Sequence, residues 1–363
     1  MRKNAGMTAA LESVDIGTGI EAAVLRANMH PRLRYMGSKY RLLPHLASLF
    51  DELGGTTAVD AFSGSGVVSH LLKAQGYSVT SNDYLTFPSV IARAVIANNH
   101  VTLSDDLVDL ICGPAADDRD FIQSKFDGLY FDHEDRAFLD SAWSHIDLID
   151  GFERDIAISA LVLSAARKQP RGVFTFTDRR YDDGRRDLRL SLRDHFRERV
   201  AEYNAAVFDS GMNHRVMVGD VFDLDPGPYD IAYLDPPYTP PSDDNDYIKR
   251  YHFLEGLSVY WRGTTIMEET KTKKLAKRFT PFAYKRTVED GLLRTFEQFS
   301  DSGAIVLSYS SNAVPNAERI VELLGKVKSD VELREIDHKY SFGTRREAIR
   351  RDVSEYLFIG RDR

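Results

Sequence analysis

The sequence predicts an α/β protein: a doubly wound, mixed but mainly parallel sheet with a mainly helical insertion. Three observations predict it. Short β-branched runs alternate with segments of helical period. A glycine-rich turn follows the first run and opens a helix. Between Tyr84 and Met212 the strand signal largely disappears, and the later part of that stretch is rich in arginine.

Residues 1–31 read as a poorly specified leader of about 30 residues, without the continuous apolar core of a signal peptide. Thr56–Phe62 reads as a buried strand running into Ser63-Gly64-Ser65-Gly66. A helix over Val67–Gln75, closed by Gly76, leads to a second short strand, Tyr77–Thr80, ending at Asn82-Asp83. Residues 101–205 read as the helical insertion. The later strands are Arg215–Val218, Asp230–Leu234, Ala304–Ser308, Val331–Ile336 and Glu355–Ile359, with helices over Glu289–Phe299 and Pro315–Leu324. A polar loop joins the last two strands, so they can pair as a hairpin with one strand antiparallel. Residues 32–100 and 206–363 then make one sheet domain.

The chain has 363 residues, 43% of them hydrophobic, ample for a buried core. Its single cysteine, Cys112, excludes an internal disulfide framework and a cysteine zinc cluster. Cys112 reads as a small buried apolar residue, and one cysteine fits a reducing cytosol. No run of about 18 apolar residues suggests a membrane span. A cytoplasmic protein without a metal is therefore expected.

The net charge of −8 hides an uneven distribution. Val101–Asp155 carries fifteen acids against four bases, a local −11. Ala165–Arg199 is +5, and Lys271–Arg286 holds seven bases and no acid. Such stretches fit a solvated face as readily as a nucleic-acid contact.

Four motifs sit at strand ends. In Asp60-Ala61-Phe62-Ser63-Gly64-Ser65-Gly66, glycines two apart let the backbone turn tightly and approach a ligand. Asp83, after the next strand, is placed to accept hydrogen bonds from ribose hydroxyls. Alone, this loop fits a ligand-free turn equally well. Asp235-Pro236-Pro237-Tyr238 follows the apolar strand at 230–234, at the sheet edge where ligands bind. Neither proline has an N–H, so the loop presents acceptors without competing donors. That suits an aromatic amine, whose lone pair is delocalised into its ring. The Asp235 carboxylate and the Pro236 carbonyl can take its two hydrogens and draw the nitrogen towards tetrahedral geometry, while Tyr238 stacks on the base. Arg34-Tyr35-Met36-Gly37-Ser38-Lys39 and Gly219-Asp220 are weaker motifs that also fit plain surface turns.

Together, in this order, the motifs resemble the adenine-specific, Dam-like class of DNA methyltransferases, in the permuted arrangement called the alpha group. The resemblance covers Arg32–Arg363 and extends to SDDNDYIKRYHFLEGLSVYW at Ser242–Trp261 and LSYSSNA at Leu307–Ala313. It implies S-adenosylmethionine as cofactor and double-stranded DNA as substrate. Tyr35, Gly37 and Lys39 would contact the methionine part. Asp60, Phe62, Gly64 and Gly66 would form the main pocket, Asp83 would hold the ribose, and Asp220 would lie near the cofactor adenine. Asp235, Pro236 and Tyr238 would handle a flipped adenine, with direct transfer to N6 and no covalent intermediate. Ala61 stands where many relatives have proline.

A flipped base needs DNA contacts. Arg171, Arg179, Arg180, Arg185, Arg186 and Arg189, around the turn at Asp182-Asp183-Gly184, are the expected recognition residues; Lys273 and Lys274 are expected to grip phosphates. Tyr251, Tyr340 and Phe342 are candidates to stack on the base, though each also suits the core. Methylation of RNA adenine or of cytosine N4 is a rival chemistry, and a non-catalytic DNA-binding subunit is a rival class. A cognate restriction endonuclease would be the natural partner; the recognition sequence and oligomeric state are not legible.

Overall fold

The computed structural model describes residues 19–175, 184–239, 247–336 and 354–362. Its seven strands are β1 (Thr57–Asp60), β2 (Ser78–Asp83), β3 (Arg215–Val218), β4 (Ile231–Leu234), β5 (Ala304–Ser310), β6 (Asp330–Ile336) and β7 (Glu355–Arg361). They lie in the order β3-β2-β1-β4-β5-β7-β6. β7 runs antiparallel to both β5 and β6, and the other neighbours pair in parallel. This is the doubly wound mixed sheet expected, including the hairpin at its end.

Thirteen α-helices are described: α1 (Ile20–Asn28), α2 (Leu43–Leu53), α3 (Val67–Ala74), α4 (Thr86–Ala92), α5 (Asp105–Ile111), α6 (Phe121–Lys125), α7 (His133–Ile146), α8 (Gly151–Lys168), α9 (Arg186–Arg189), α10 (Leu192–Ala206), α11 (Tyr247–Ser258), α12 (Val288–Gln298) and α13 (Ala317–Leu324). The expected leader ends earlier than residue 31. α1 buries Ala23 and Ala27 in the main apolar cluster, so this segment belongs to the fold.

Two-residue alternation sorts the strand side chains into two cores. Ala58, Ile231, Tyr233 and Val306 face one cluster; Val59, Ala232, Leu234, Ile305 and Leu307 face the other. The inner strands β1, β4 and β5 are buried on both faces, as a parallel sheet between helical layers requires, whereas the edge strands β3 and β6 are largely exposed or half-buried. Among the described residues no strand forms between Tyr84 and Met212, so the insertion is helical as expected. It has no core of its own. Ile156, Leu161 and Val162 of α8 and Phe196 and Val200 of α10 belong to the same cluster as Ala58 and Ile231.

A π-helical turn at Arg93–Ala97 ends α4. The buried Lys73 donates from Nζ to the carbonyls of Val95, Ile96 and Asn98 at 3.1, 3.0 and 2.8 Å. Those carbonyls would otherwise lack donors at a buried helix end. Cys112 is buried at the end of α5. Among the described residues no helix is long and apolar enough to cross a membrane.

The strand order fixes where a ligand can sit. The chain winds outward from β1 to β2 and β3, then returns to place β4 on the other side of β1. The reversal lies between β1 and β4. Loops leaving the carboxyl ends of those two strands diverge there and open a crevice.

Candidate active site

The glycine loop leaves β1 and the Asp235–Tyr238 loop leaves β4, from strands paired as Asp60 with Tyr233. Both loops line one cavity, together with Tyr35, Gly37, Lys39, Asp60, Phe62, Gly64, Asp83 and Asp220. The two strand-end loops therefore meet at one place.

Three residues behave differently from expectation. Gly66 is not in the cavity wall; it starts α3 with φ +83°, and a Cβ there would come 3.2 Å from His30 Nε2. Its need for glycine is conformational. Pro236 is buried and also absent from the wall, which Pro237 lines instead. Tyr251 is fully buried, stacks on Tyr35 at 4.9 Å and takes the Met36 N–H on its hydroxyl at 2.8 Å. It is a brace for the Tyr35–Lys39 segment and cannot meet a flipped base. Tyr340, Phe342, Arg179 and Arg180 lie outside the described residues.

Gly64 has φ +51°, and a Cβ there would come 2.8 Å from Tyr35 Cε1. The loop therefore needs glycine both for its turn and for the aromatic ring packed against it. Asp83 holds it from below, accepting the Gly64 N–H on Oδ2 and the Leu85 N–H on Oδ1, each at 2.8 Å. Burial pushes Asp83 up to about 7 against the pull of those N–H groups. Burial likewise raises Asp60 to about 7, the Ser69 hydroxyl opposing it at 2.7 Å.

Several buried polar atoms in the cavity wall lack partners in the protein: Asp60 Oδ1, Ser63 Oγ and Asn82 Oδ1. Orphaned buried acceptors are costly and ask for a ligand. An acceptor-rich crevice with a carboxylate at each strand end suits a molecule carrying an ammonium group and a ribose. The residues present therefore fit S-adenosylmethionine. At the far wall Phe282 meets Phe62 edge-on at 5.2 Å and Phe222 face-on at 6.0 Å. Asp220 turns its own carboxylate back onto the Phe222 N–H at 3.2 Å.

The opposite end of the cavity is a charge network. Lys39 Nζ lies 2.8 Å from both oxygens of Asp235, 2.8 Å from the Gly37 carbonyl and 2.7 Å from the Tyr238 hydroxyl. Glu355 Oε1, on β7, stands 3.4 Å from the same ammonium. Burial raises Asp235 to about 6; the Lys39 charge opposes this and the Glu355 charge adds to it. Tyr309 meets the Tyr238 ring edge-on at 5.1 Å.

At the cavity mouth Phe279 and Tyr284 stack face to face at 5.7 Å, exposed to solvent. Arg278 lies over the Tyr84 ring. The expected DNA-contacting arginines that are described do not line this cavity: Arg186 pairs with Glu198, and Arg189 lines a separate polar hollow with Lys168 and Arg193. Arg185 is also absent from the cavity wall, and Arg171 is described only by its backbone in a short turn. Lys273 binds the Glu268 carbonyl and carboxylate at 2.8 and 3.1 Å, while Lys274 is half-buried beside it.

Sequence reading missed Tyr84, Leu85, Val221, Tyr247, Phe282 and Glu355. Phe282 carried a signal, an aromatic inside a run otherwise read only for its lysines. Glu355 carried none, because an acid opening a strand reads as solvent-exposed.

The geometry thus defines a cofactor-dependent enzyme with its site at the switch point of an α/β sheet. A family model for the D12 class N6 adenine-specific DNA methyltransferases matches residues 35–282, and the chain belongs to that family. It is an adenine-specific DNA methyltransferase that uses S-adenosylmethionine. Among characterised relatives it is similar to type II methyltransferase M2.HphI of Haemophilus parahaemolyticus, 27% identical over 86% of this chain and 92% of that protein. It is also similar to type II methyltransferase M.FokI of Planomicrobium okeanokoites (26%, covering 80% of this chain) and to modification methylase StsI of Streptococcus sanguinis (24%, covering 90%). The chain spans about half the length of those two, 46% and 51%. Among solved structures, an RNA methyltransferase from Pyrococcus horikoshii aligns over 96% of this chain and 100% of its own, at 11% identity and a TM-score of 0.34. That likeness is too low to carry an argument.

Proposed function

We propose that this cavity is where the methyl group passes to adenine N6, with Asp235, Pro236 and Tyr238 acting on the base and the loop at 60–66 holding the cofactor. When bound, S-adenosylmethionine supplies an electrophilic methyl group on a sulfonium. The protein's part is to hold, orient and accept. Tyr35 packs against Gly64 and bounds the loop. Asp60 offers its unpartnered oxygen to a cation, and Asp83 offers its remaining lone pairs to hydroxyls. Asp220 and Phe282 close the other end.

The target adenine enters from the mouth and reaches the end of the cavity held by Asp235, where Tyr238 offers its ring. Asp235 accepts one amino hydrogen; for the Pro236 carbonyl to take the other, that residue, which does not line the cavity, must turn its main chain towards the entering base. These bonds strengthen as the nitrogen gains positive charge, so they favour the transition state over the ground state. Extracting the base costs roughly a few kcal/mol. Exposed cations at Lys271, Lys277, Arg278, Lys285 and Arg286 are suited to offset this by binding phosphates. Sequence is read elsewhere, and we assign Arg171, Arg179, Arg180, Arg185, Arg186 and Arg189 to that role. The protein acts on duplex DNA as the modification partner of a restriction endonuclease, as the names of its relatives suggest.

The observation that carries this reading is the convergence of two strand-end loops on one cavity, with Asp235 at its end. Expression in a host lacking adenine methylation tests the restriction link: genomic DNA should become resistant to one endonuclease. Full methylation with continued sensitivity to every endonuclease tried would sink it.

A further inference from the structure

The Tyr238 hydroxyl has one proton and two carboxylates competing for it. Asp235 Oδ1 lies 2.8 Å away and Glu355 Oε1 lies 2.6 Å away. Lys39 Nζ, at 2.7 Å, has no acceptor capacity and can only donate to that hydroxyl. Glu355 is fully buried at the start of β7, opposite Ser310 of β5. Its Oε1 also takes the Ser308 hydroxyl at 2.6 Å, which fixes the carboxylate, and its Oε2 is buried without a partner. The single Lys39 ammonium, 2.8 Å from Asp235 and 3.4 Å from Glu355, is the cation these two buried acids share. Ser308 and Tyr309 of the same strand hold Glu355 and the Tyr238 ring respectively.

We propose that Glu355 is a positioning residue: by taking the hydrogen bond of the Tyr238 hydroxyl, it leaves the lone pair of Asp235 Oδ1 that the Lys39 ammonium does not occupy for the amino group of the target adenine. The inference rests on the reading of Asp235 as the acceptor. Without Glu355, the hydroxyl proton turns to Asp235 and occupies the lone pair that the amine needs. The acceptor is then weaker where it matters most, when the nitrogen becomes cationic. The loss therefore falls on kcat and spares cofactor binding.

The test is a double-mutant cycle on the full chain, with single-turnover methylation of duplex DNA and cofactor titration by calorimetry. Glu355→Ala and Glu355→Met both remove the acceptor; Glu355→Gln keeps an acceptor oxygen in place. The first two are expected to lower kcat ten- to a hundredfold with cofactor affinity within threefold, and Glu355→Gln to retain most of the rate. In a Tyr238→Phe background, which has no hydroxyl to redirect, adding either substitution should change kcat less than threefold. An equal loss in both backgrounds overturns the proposal, as does an unchanged kcat. Failure of both variants to fold while Glu355→Gln is active also overturns it, since Glu355 is then structural. Asp235→Ala measured alongside separates the two readings. Full activity there ends the acceptor role, whereas an inactive Asp235→Ala with silent Glu355 variants ends only this inference.

Discussion

Asp235 sits between two opposed influences, and its chemistry follows from them. Burial pushes its carboxyl up to about 6 while the Lys39 ammonium holds it down. Only the ionised form is a full acceptor, so the single-turnover rate should be retained above pH 6 and fall about tenfold per unit below it. A flat profile from pH 5 to 8 would count against Asp235. Replacing Asp235 with alanine should lower the rate at least a thousandfold and leave cofactor affinity within a few-fold. The variant should fold, because Lys39 keeps the Gly37 carbonyl and Glu355. Asp60 and Asp83 lead to a separate expectation. Burial raises both to about 7, so below that pH each tends to be protonated, whereas the proposed cofactor contacts use them as carboxylates. Affinity should weaken as pH falls through 7, and binding at neutral pH should release protons. Calorimetry in buffers of different ionisation enthalpy reads that release; no buffer dependence would contradict it.

At the scale of elements, the glycine loop and the strand beneath it form one unit. Gly64 at φ +51° faces the Tyr35 ring, so Gly64→Ala adds both backbone strain and a clash. Left-handed strain alone costs roughly 1–2 kcal/mol; the free loop of the variant relaxes to escape it, and restoring the binding shape then costs at least a several-fold loss of cofactor affinity. Calorimetric titration of that variant checks it, and undiminished affinity would mean that the cofactor lies elsewhere. Most of this unit is legible in the sequence, because a β-branched run, a glycine turn and an acid after the next strand all act locally. The brace around it is not. Tyr251 and Glu255 look like members of an aromatic, apolar run, yet one supports Met36 and the other accepts the Thr86 N–H at the start of α4. The stretch around Gly256 is likewise structural: a Cβ there would come 2.2 Å from Trp261 Nε1. Glu355 is the extreme case, since Tyr238 and Ser308, which it holds, lie 117 and 47 residues away in the chain. Such pairings arise only once β7 inserts between β5 and β6.

Across the whole molecule, the strand order does most of the work. Reversal between β1 and β4 brings residue 64 and residue 235 to one cavity, and the insertion shares the core of the sheet instead of standing apart. Alternating strands and helices announce the sheet, but its strand order is a long-range property that only the structure displays. The negative net charge conceals a run of exposed bases between residues 271 and 286, of which Arg278 lines the cavity. Replacing Arg278 and Arg286 with alanine should weaken binding uniformly across sequences. Each phosphate thereby left unneutralised should also lower the slope of log affinity against log salt by about one. An unchanged slope would move the phosphate-binding surface to another face.

The most direct test of the central claim is nucleotide-resolved mapping of N6-methyladenine in genomic DNA from a host expressing the wild-type chain or Asp235→Ala. The wild type should mark adenine at one recurring sequence, and Asp235→Ala should mark none while still binding cofactor. Equal marking by both proteins would contradict the account.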